Sequence, residues 1–148
     1  MSKQITRTFD LSIYTASSTA VRLKIEDQFV PPADVVTKLA TLHSEVITRI
    51  LEIPELTGQL YCTSGYRCPE LNTAVKGAKT SQHCKGEAAD LEYYENGVEK
   101  NLKLNDAIIK AGIEWDQLIR EYGTDDNPSW IHVSYRAGNN RNQTLVIK

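Results

Sequence analysis

Three residues of this chain have the types and settings that hold a metal ion: His83, Asp90 and His132. Zinc hydrolases need three ligands drawn from His, Asp, Glu or Cys, with a fourth position open to water. The ion lowers the pKa of that water to about 7, and a nearby carboxylate can move its proton. His83 lies in SQHCKGEAAD, seven residues before Asp90. Gly86 lets the chain turn between them, and the small Ala88 and Ala89 let a strand pack closely while Asp90 projects from it. His132 lies in WIHVSY, where Trp130, His132 and Ser134 share one strand face and Ile131, Val133 and Tyr135 the other. Each residue alone also fits a plainer role, as a hydrogen-bonded strand histidine or an ordinary turn acid. The third histidine, His43, falls on or beside the apolar stripe of a long helix and reads as a partly buried packing residue.

The elements that must position these residues are readable from periodicity and turn chemistry. Residues 1–30 are mixed and polar, with a few apolar anchors, and predict irregular segments and short helix. Pro31-Pro32 stops them and sets up a helix start. Val35, Leu39, Leu42, Val46 and Ile50 then recur at spacings of four, three, four and four, one apolar helix face that Pro54 ends. Residues 59–64 read as a strand, PELNTAVK as a short helix between Pro69 and Gly77, and the chain from about Glu87 as a strand. A second amphipathic helix covers 102–111 and is capped by Gly112. WDQLIREY, WIHVSY and TLVIK read as strands, with a turn at DDNP. Late strands beside helices predict an α+β class: a small, mainly antiparallel sheet with helices packed on one side.

At 148 residues the chain fits a single domain, taken as 1–148, with no repeat or linker. Hydrophobic content of 41% and charged content of 24% exclude a disordered chain. A net charge of −2 offers no basic excess for phosphate backbones, so no nucleic-acid partner is expected. No apolar stretch reaches a membrane span or a secretory leader, so synthesis in a cytoplasm without a signal peptide and no membrane partner are expected. Three cysteines without a CxxC pair argue against a disulfide framework or a thiolate zinc knuckle. A cysteine hydrolase pairing Cys84 with His132 is disfavoured, because nothing marks Cys84 as an activated thiolate.

SQHCKGEAAD resembles the Ser-x-His-x-x-Gly-x-Ala-x-Asp signature of the D-alanyl-D-alanine metallopeptidases. WIHVSY is similar to that family's closing strand, and TSGYRCPELN to the segment before the first ligand. The likeness is strongest over about residues 60–135, and TASSTAVRLKI with the following Pro-Pro resembles the family's compact phage and bacterial branch. The family includes zinc carboxypeptidases, vancomycin-resistance dipeptidases, phage endolysins and, more distantly, the hedgehog signalling domain. The resemblance implies a hedgehog/DD-peptidase-like fold and Zn2+ held by His83, Asp90 and His132. It implies a peptidoglycan stem peptide as partner, met by a monomer. It also implies that Arg67 holds the substrate carbonyl or developing oxyanion, where a plain structural ion pair is the alternative.

The general base is less direct. The acid that some branches carry three residues before the last histidine is Ser129 here. Other members place it at the end of the preceding strand, where Gln117, Ile119 and Glu121 share a face, and Glu121 is the choice with Asp126 as runner-up. Trp130 stands where several relatives have another histidine. Tyr61, Tyr66, Tyr93, Tyr94 and Tyr135 could line a groove, although strand tyrosines more often pack. Two functions follow. One is a peptidoglycan carboxypeptidase or endopeptidase of endolysin type, acting on the wall after release by a holin or carriage on a phage particle. The other is a catalytically silent, zinc-stabilised binding or phage structural module.

Overall fold

The computed structural model describes residues 3–148. Its strands are β1 (Lys3–Gln4), β2 (Gln59–Ser64), β3 (Ala88–Glu95), β4 (Val98–Glu99), β5 (Gln117–Glu121), β6 (Trp130–Ser134) and β7 (Gln143–Ile147). They form one sheet in the order β1-β2-β3-β6-β5-β7, with β4 hydrogen-bonded to β3. Every pair is antiparallel except β5 with β7. The helices are α1 (Leu11–Thr15), α2 (Ser18–Leu23), α3 (Ala33–Leu42), α4 (Thr48–Leu51), α5 (Pro69–Ala74) and α6 (Asn101–Ala111). The class is the expected α+β with a mainly antiparallel sheet. The short β1 and β4 lie outside the expected strands; β4 arises because Asn96 and Gly97, both at positive φ, turn the chain sharply after β3.

Local chemistry explains the helix ends. Asp10 accepts from the Ser12 amide at 2.9 Å to cap α1, and Ser17 caps α2 through the Ala20 amide. Gly112, at φ +70, closes α6 in the left-handed conformation. The long apolar stripe after Pro32 forms α3 and α4, but not as one regular helix. Between them His43–Ile47 make a π-turn, in which His43, Val46 and Ile47 are buried. His43 is therefore 3% exposed rather than a partly buried packing residue. Its Nε2 donates to the Arg7 carbonyl at 2.9 Å, and its Nδ1 accepts from the Tyr14 hydroxyl at 2.6 Å.

One sheet face meets the core. Ala89 pairs with Val133, Leu91 with Ile131 and Leu118 with Val133, and all are buried with Leu39, Leu42, Ile47, Leu104 and Ile108 from the helices. Burying each Leu or Ile contributes about 1.5–3 kcal/mol, so this layer is the main support of the fold. The opposite face carries the polar residues of the same strands. No helix among the described residues is long and apolar enough to cross a membrane.

Asp116, just before β5, is fully buried and closes the sheet's far end. Its carboxylate accepts from Arg141 Nε at 2.9 Å, Arg141 Nη2 at 2.8 Å and the Arg141 amide at 3.0 Å. The Arg141 hydrogen bonds hold the Asp116 carboxyl well below the usual carboxylate range, against the opposing effect of burial. A depressed folded pKa gives stability that is complete above the unfolded value, about pH 4, and is lost as pH falls toward the folded one. Asp116→Asn should lower stability at pH 7 by about 2 kcal/mol. Thermal melts from pH 7 to pH 2 should show a shallower acid loss in the variant than in the wild type. Parallel curves through the acid range would mean that Asp116 contributes none of that loss.

Candidate metal centre

Strand register brings the site residues onto one face. Asp90 of β3 stands opposite His132 of β6, and in the β5–β6 pair Ile119 stands opposite His132 and Glu121 opposite Trp130. Directly opposed residues project to the same side, and Glu121 shares that side as the second residue after Ile119. His83 arrives separately, from a 3-10 turn over Gln82–Lys85. Ser81 Oγ accepts from the His83 amide at 3.2 Å to start the turn. Gly86 ends it at φ +76, where a Cβ would lie 2.8 Å from the Val35 carbonyl oxygen, so both conformation and space call for glycine.

The three side chains converge. One donor atom from each of His83, Asp90 and His132 lies within 4.8 Å of the others. Asp90 Oδ1 is 3.3 Å from His83 Nε2 and 3.1 Å from His132 Nδ1. Donors sharing a tetrahedral ion at bond lengths of 2.0–2.1 Å stand about 3.3 Å apart, so the spacing suits a metal. The protonation pattern suits it as well. His83 Nδ1 lies 2.7 Å from the Gly65 carbonyl, which can only accept, so that nitrogen carries the proton and Nε2 faces the cluster. Burial alone would raise the Asp90 pKa, but the flanking histidines outweigh it and hold the carboxylate ionised. A nitrogen–carboxylate–nitrogen set of this kind can hold a divalent metal.

Glu121 joins the cluster. Its Oε2 lies 3.7 Å from His132 Nδ1, and its side chain is 16% exposed. Burial first, then the Asp90 charge, push its carboxyl above the ordinary glutamate value, with His132 opposing. The buried indole N–H of Trp130 leans toward this carboxylate and eases its charge slightly, without reaching hydrogen-bond geometry. Asp126 is not brought in. It is exposed in the loop before β6 and borders a separate surface groove with Lys103 and Asn127.

A cleft of about 570 Å³ opens over the cluster, lined by Arg67, Ser81, Gln82, Glu121, Tyr122 and Trp130 beside the three converging residues. Arg67 Nη2 donates to Ser81 Oγ at 3.1 Å, and the Arg67 amide donates to the His83 carbonyl at 3.1 Å. Among the described residues no carboxylate pairs with its guanidinium, so the structural ion pair is not what is found. Its Nε is buried without a partner.

The tyrosines singled out by sequence pack elsewhere. Tyr66 and Tyr93 are buried in the core, Tyr135 packs against it, and Tyr61 meets Tyr94 edge-on at 5.6 Å. The tyrosine at the cleft is Tyr122, held at φ +57 just past β5 and stacked edge-on with Trp130. Sequence reasoning also missed Gln82 and Gln117. Each was legible by position: Gln82 adjoins His83, and Gln117 shares the β5 face with Glu121. Burial pushes the Cys84 thiol up, so it is no activated nucleophile.

No curated protein matches the chain. The family described as Peptidase M15 matches residues 29–134, from just before α3 to the end of β6. That span contains all five site residues proposed from sequence and leaves α1 and α2 outside it. With most of its length matched, the chain belongs to the Peptidase M15 family, a family of metallopeptidases.

Proposed function

We propose that this chain is a zinc-dependent peptidase that hydrolyses peptidoglycan stem peptides, with His83, Asp90 and His132 as the metal ligands. One observation carries the reading: two histidines and an ionised aspartate converge beside a carboxylate whose pKa is raised, and one cleft opens on all four. A zinc ion bound there would polarise a peptide carbonyl and lower the pKa of a water to about 7.

The chain's own residues divide the remaining work. Glu121 receives the proton of the attacking water on its carboxylate and delivers it to the departing amine. Partial burial pushes its carboxyl above the ordinary glutamate value, so it holds a transferred proton more readily than a solvated carboxylate would. Arg67, which pairs with no carboxylate among the described residues, directs its guanidinium to the carbonyl oxygen on which negative charge grows. The Gly65 carbonyl fixes the His83 ring so that it does not turn away during the reaction. The resemblance to compact endolysins supports action at the cell wall, reached through a holin or on a phage particle. The partner would then be a stem peptide met by a single copy of the chain.

The test is mass spectrometry of purified peptidoglycan fragments incubated with zinc-loaded protein, beside a chelated control. Loss of a terminal D-Ala identifies a carboxypeptidase, and a split within or below the stem an endopeptidase. His83→Ala should abolish both zinc binding and product. No zinc-dependent product from any fragment would leave a zinc-stabilised binding or structural module as the better reading.

Glu121→Gln isolates the proton shuttle. It should retain one zinc per chain while turnover falls by about 10²-fold or more. Full activity in that variant would remove Glu121 from the mechanism.

A further inference from the structure

The buried hub at Asp116 touches the metal-bearing turn as well as the end of the sheet. Gln82, the residue before His83, donates from Nε2 to Asp116 Oδ2 at 2.7 Å. The acceptor is an ionised carboxylate that is fully buried, so this bond fixes which end of the Gln82 amide faces it. The Asp116 backbone reaches two further elements. Its amide donates to the Ser134 carbonyl at 2.8 Å, two residues from His132, and its carbonyl accepts from the Gln143 amide at 2.9 Å at the start of β7. Glu121 lies on the strand that Asp116 precedes. One residue therefore ties together the turn that carries His83 and the strands that carry His132 and Glu121.

The other side of the turn is held differently. Ser81 receives Arg67 Nη2, and the His83 carbonyl receives the Arg67 amide. Between these two anchors the His83 ring has its Nδ1 on the Gly65 carbonyl. Releasing the Gln82 side chain leaves the turn to its contacts with Ser81, Arg67 and Gly65 and to the bond from the Glu87 amide to the Gln82 carbonyl, none of which reaches the Asp116 hub.

We infer that Asp116 and Gln82 are positioning residues: the Gln82–Asp116 bond holds the 82–85 turn so that His83 presents Nε2 to the metal cluster. The Asp116–Arg141 pair secures the C-terminal segment and is separable from this role. The inference rests on the metal reading proposed above only for its functional consequence. The placement of the His83 ring stands independently of it.

Two variants divide the hub. Gln82→Met keeps the side-chain volume and loses the bond to Asp116. Arg141→Met keeps the Gln82 bond and loses the pair on the other side. In the metal-free protein, long-range proton–nitrogen spectra of the histidines should show the His83 Nδ1–H in slow exchange with water for the wild type and for Arg141→Met. Gln82→Met should lose that protection. Zinc affinity, read by competition with a chelator, should weaken about tenfold in Gln82→Met and stay unchanged in Arg141→Met, even where Arg141→Met lowers Tm more. A Gln82→Met protein with His83 protection intact would overturn the inference. So would equal zinc losses in both variants, which would mark the hub as general support. Should the wild type bind no zinc, the metal reading fails, and the exchange of the His83 proton still decides the positioning role.

Discussion

The centre depends on one buried carboxylate. Asp90 is 8% exposed on an interior strand, where an unpaired charge would be driven to protonate. The two imidazoles beside it keep it ionised, so the three residues stabilise one another or fail together. That mutual dependence holds only in one register of β3 against β6. A slip of one residue would turn Asp90 or His132 into the layer occupied by Leu91, Ile131, Ala89 and Val133. The apolar pairs on one face thus hold the polar pairs on the other, and the core and the site are two sides of the same constraint.

His83 is not on the sheet, and its placement draws on the first third of the chain. Gly65, whose carbonyl receives the His83 ring, lies so close to Tyr14 that a Cβ would sit 2.4 Å from the Tyr14 carbonyl oxygen. That carbonyl accepts from the Tyr66 amide at 2.7 Å, and the Tyr14 hydroxyl is held by His43 in the π-turn. Gln28, wholly buried, bonds the carbonyls of Thr15 and Tyr66 and the amide of Cys68. The N-terminal segment that precedes the Peptidase M15 match is therefore a brace for residues 65–68, which present both the Gly65 carbonyl and Arg67.

Much of this was legible in the sequence, and the divide between what was and what was not is physical. The alternation in WIHVSY, the helix stripe after Pro32, the capping glycine at 112 and the spacing from His83 to Asp90 are local patterns, and local patterns survive in a linear reading. Glu121 is implied by the family resemblance, which places an acid at the end of the preceding strand, and the β5–β6 register sets that strand's face beside His132. The braces were not legible. Gln28 acts across 38 and 40 residues of chain, and Gln82 reaches Asp116 across 34, distances at which no periodicity carries a signal. The tyrosines are a different case: packing is the more usual role expected of them, and it is the one they take. Their abundance near the site in sequence says nothing about the side of the sheet on which each ring lies, and Tyr122 reaches the cleft only because its positive φ turns the chain there.

Elsewhere the fold meets its buried polar groups with care. His43 uses both ring nitrogens, Asn101 bonds the Tyr93 amide and the Pro128 carbonyl, and Asp116 accepts from Gln82 and Arg141. Against that background four of the five unmet groups among the described residues stand together, and the fifth, Asn72 Oδ1, lies beside Gly77. Among the described residues, the buried side-chain atoms without a protein partner include Arg67 Nε, Gln82 Oε1, Trp130 Nε1 and His132 Nε2, all on residues that line one cleft. A buried polar group with no partner at all costs about 1–3 kcal/mol, so these four call for a partner from outside the protein, water or ligand. The ring nitrogens of Trp130 and His132 and the Nε of Arg67 are donors once His132 turns Nδ1 to the cluster, and Gln82 Oε1 is the single acceptor. These donors sit beside the Glu121 and Asp90 carboxylates, so the cleft offers donors and acceptors together to whatever enters it.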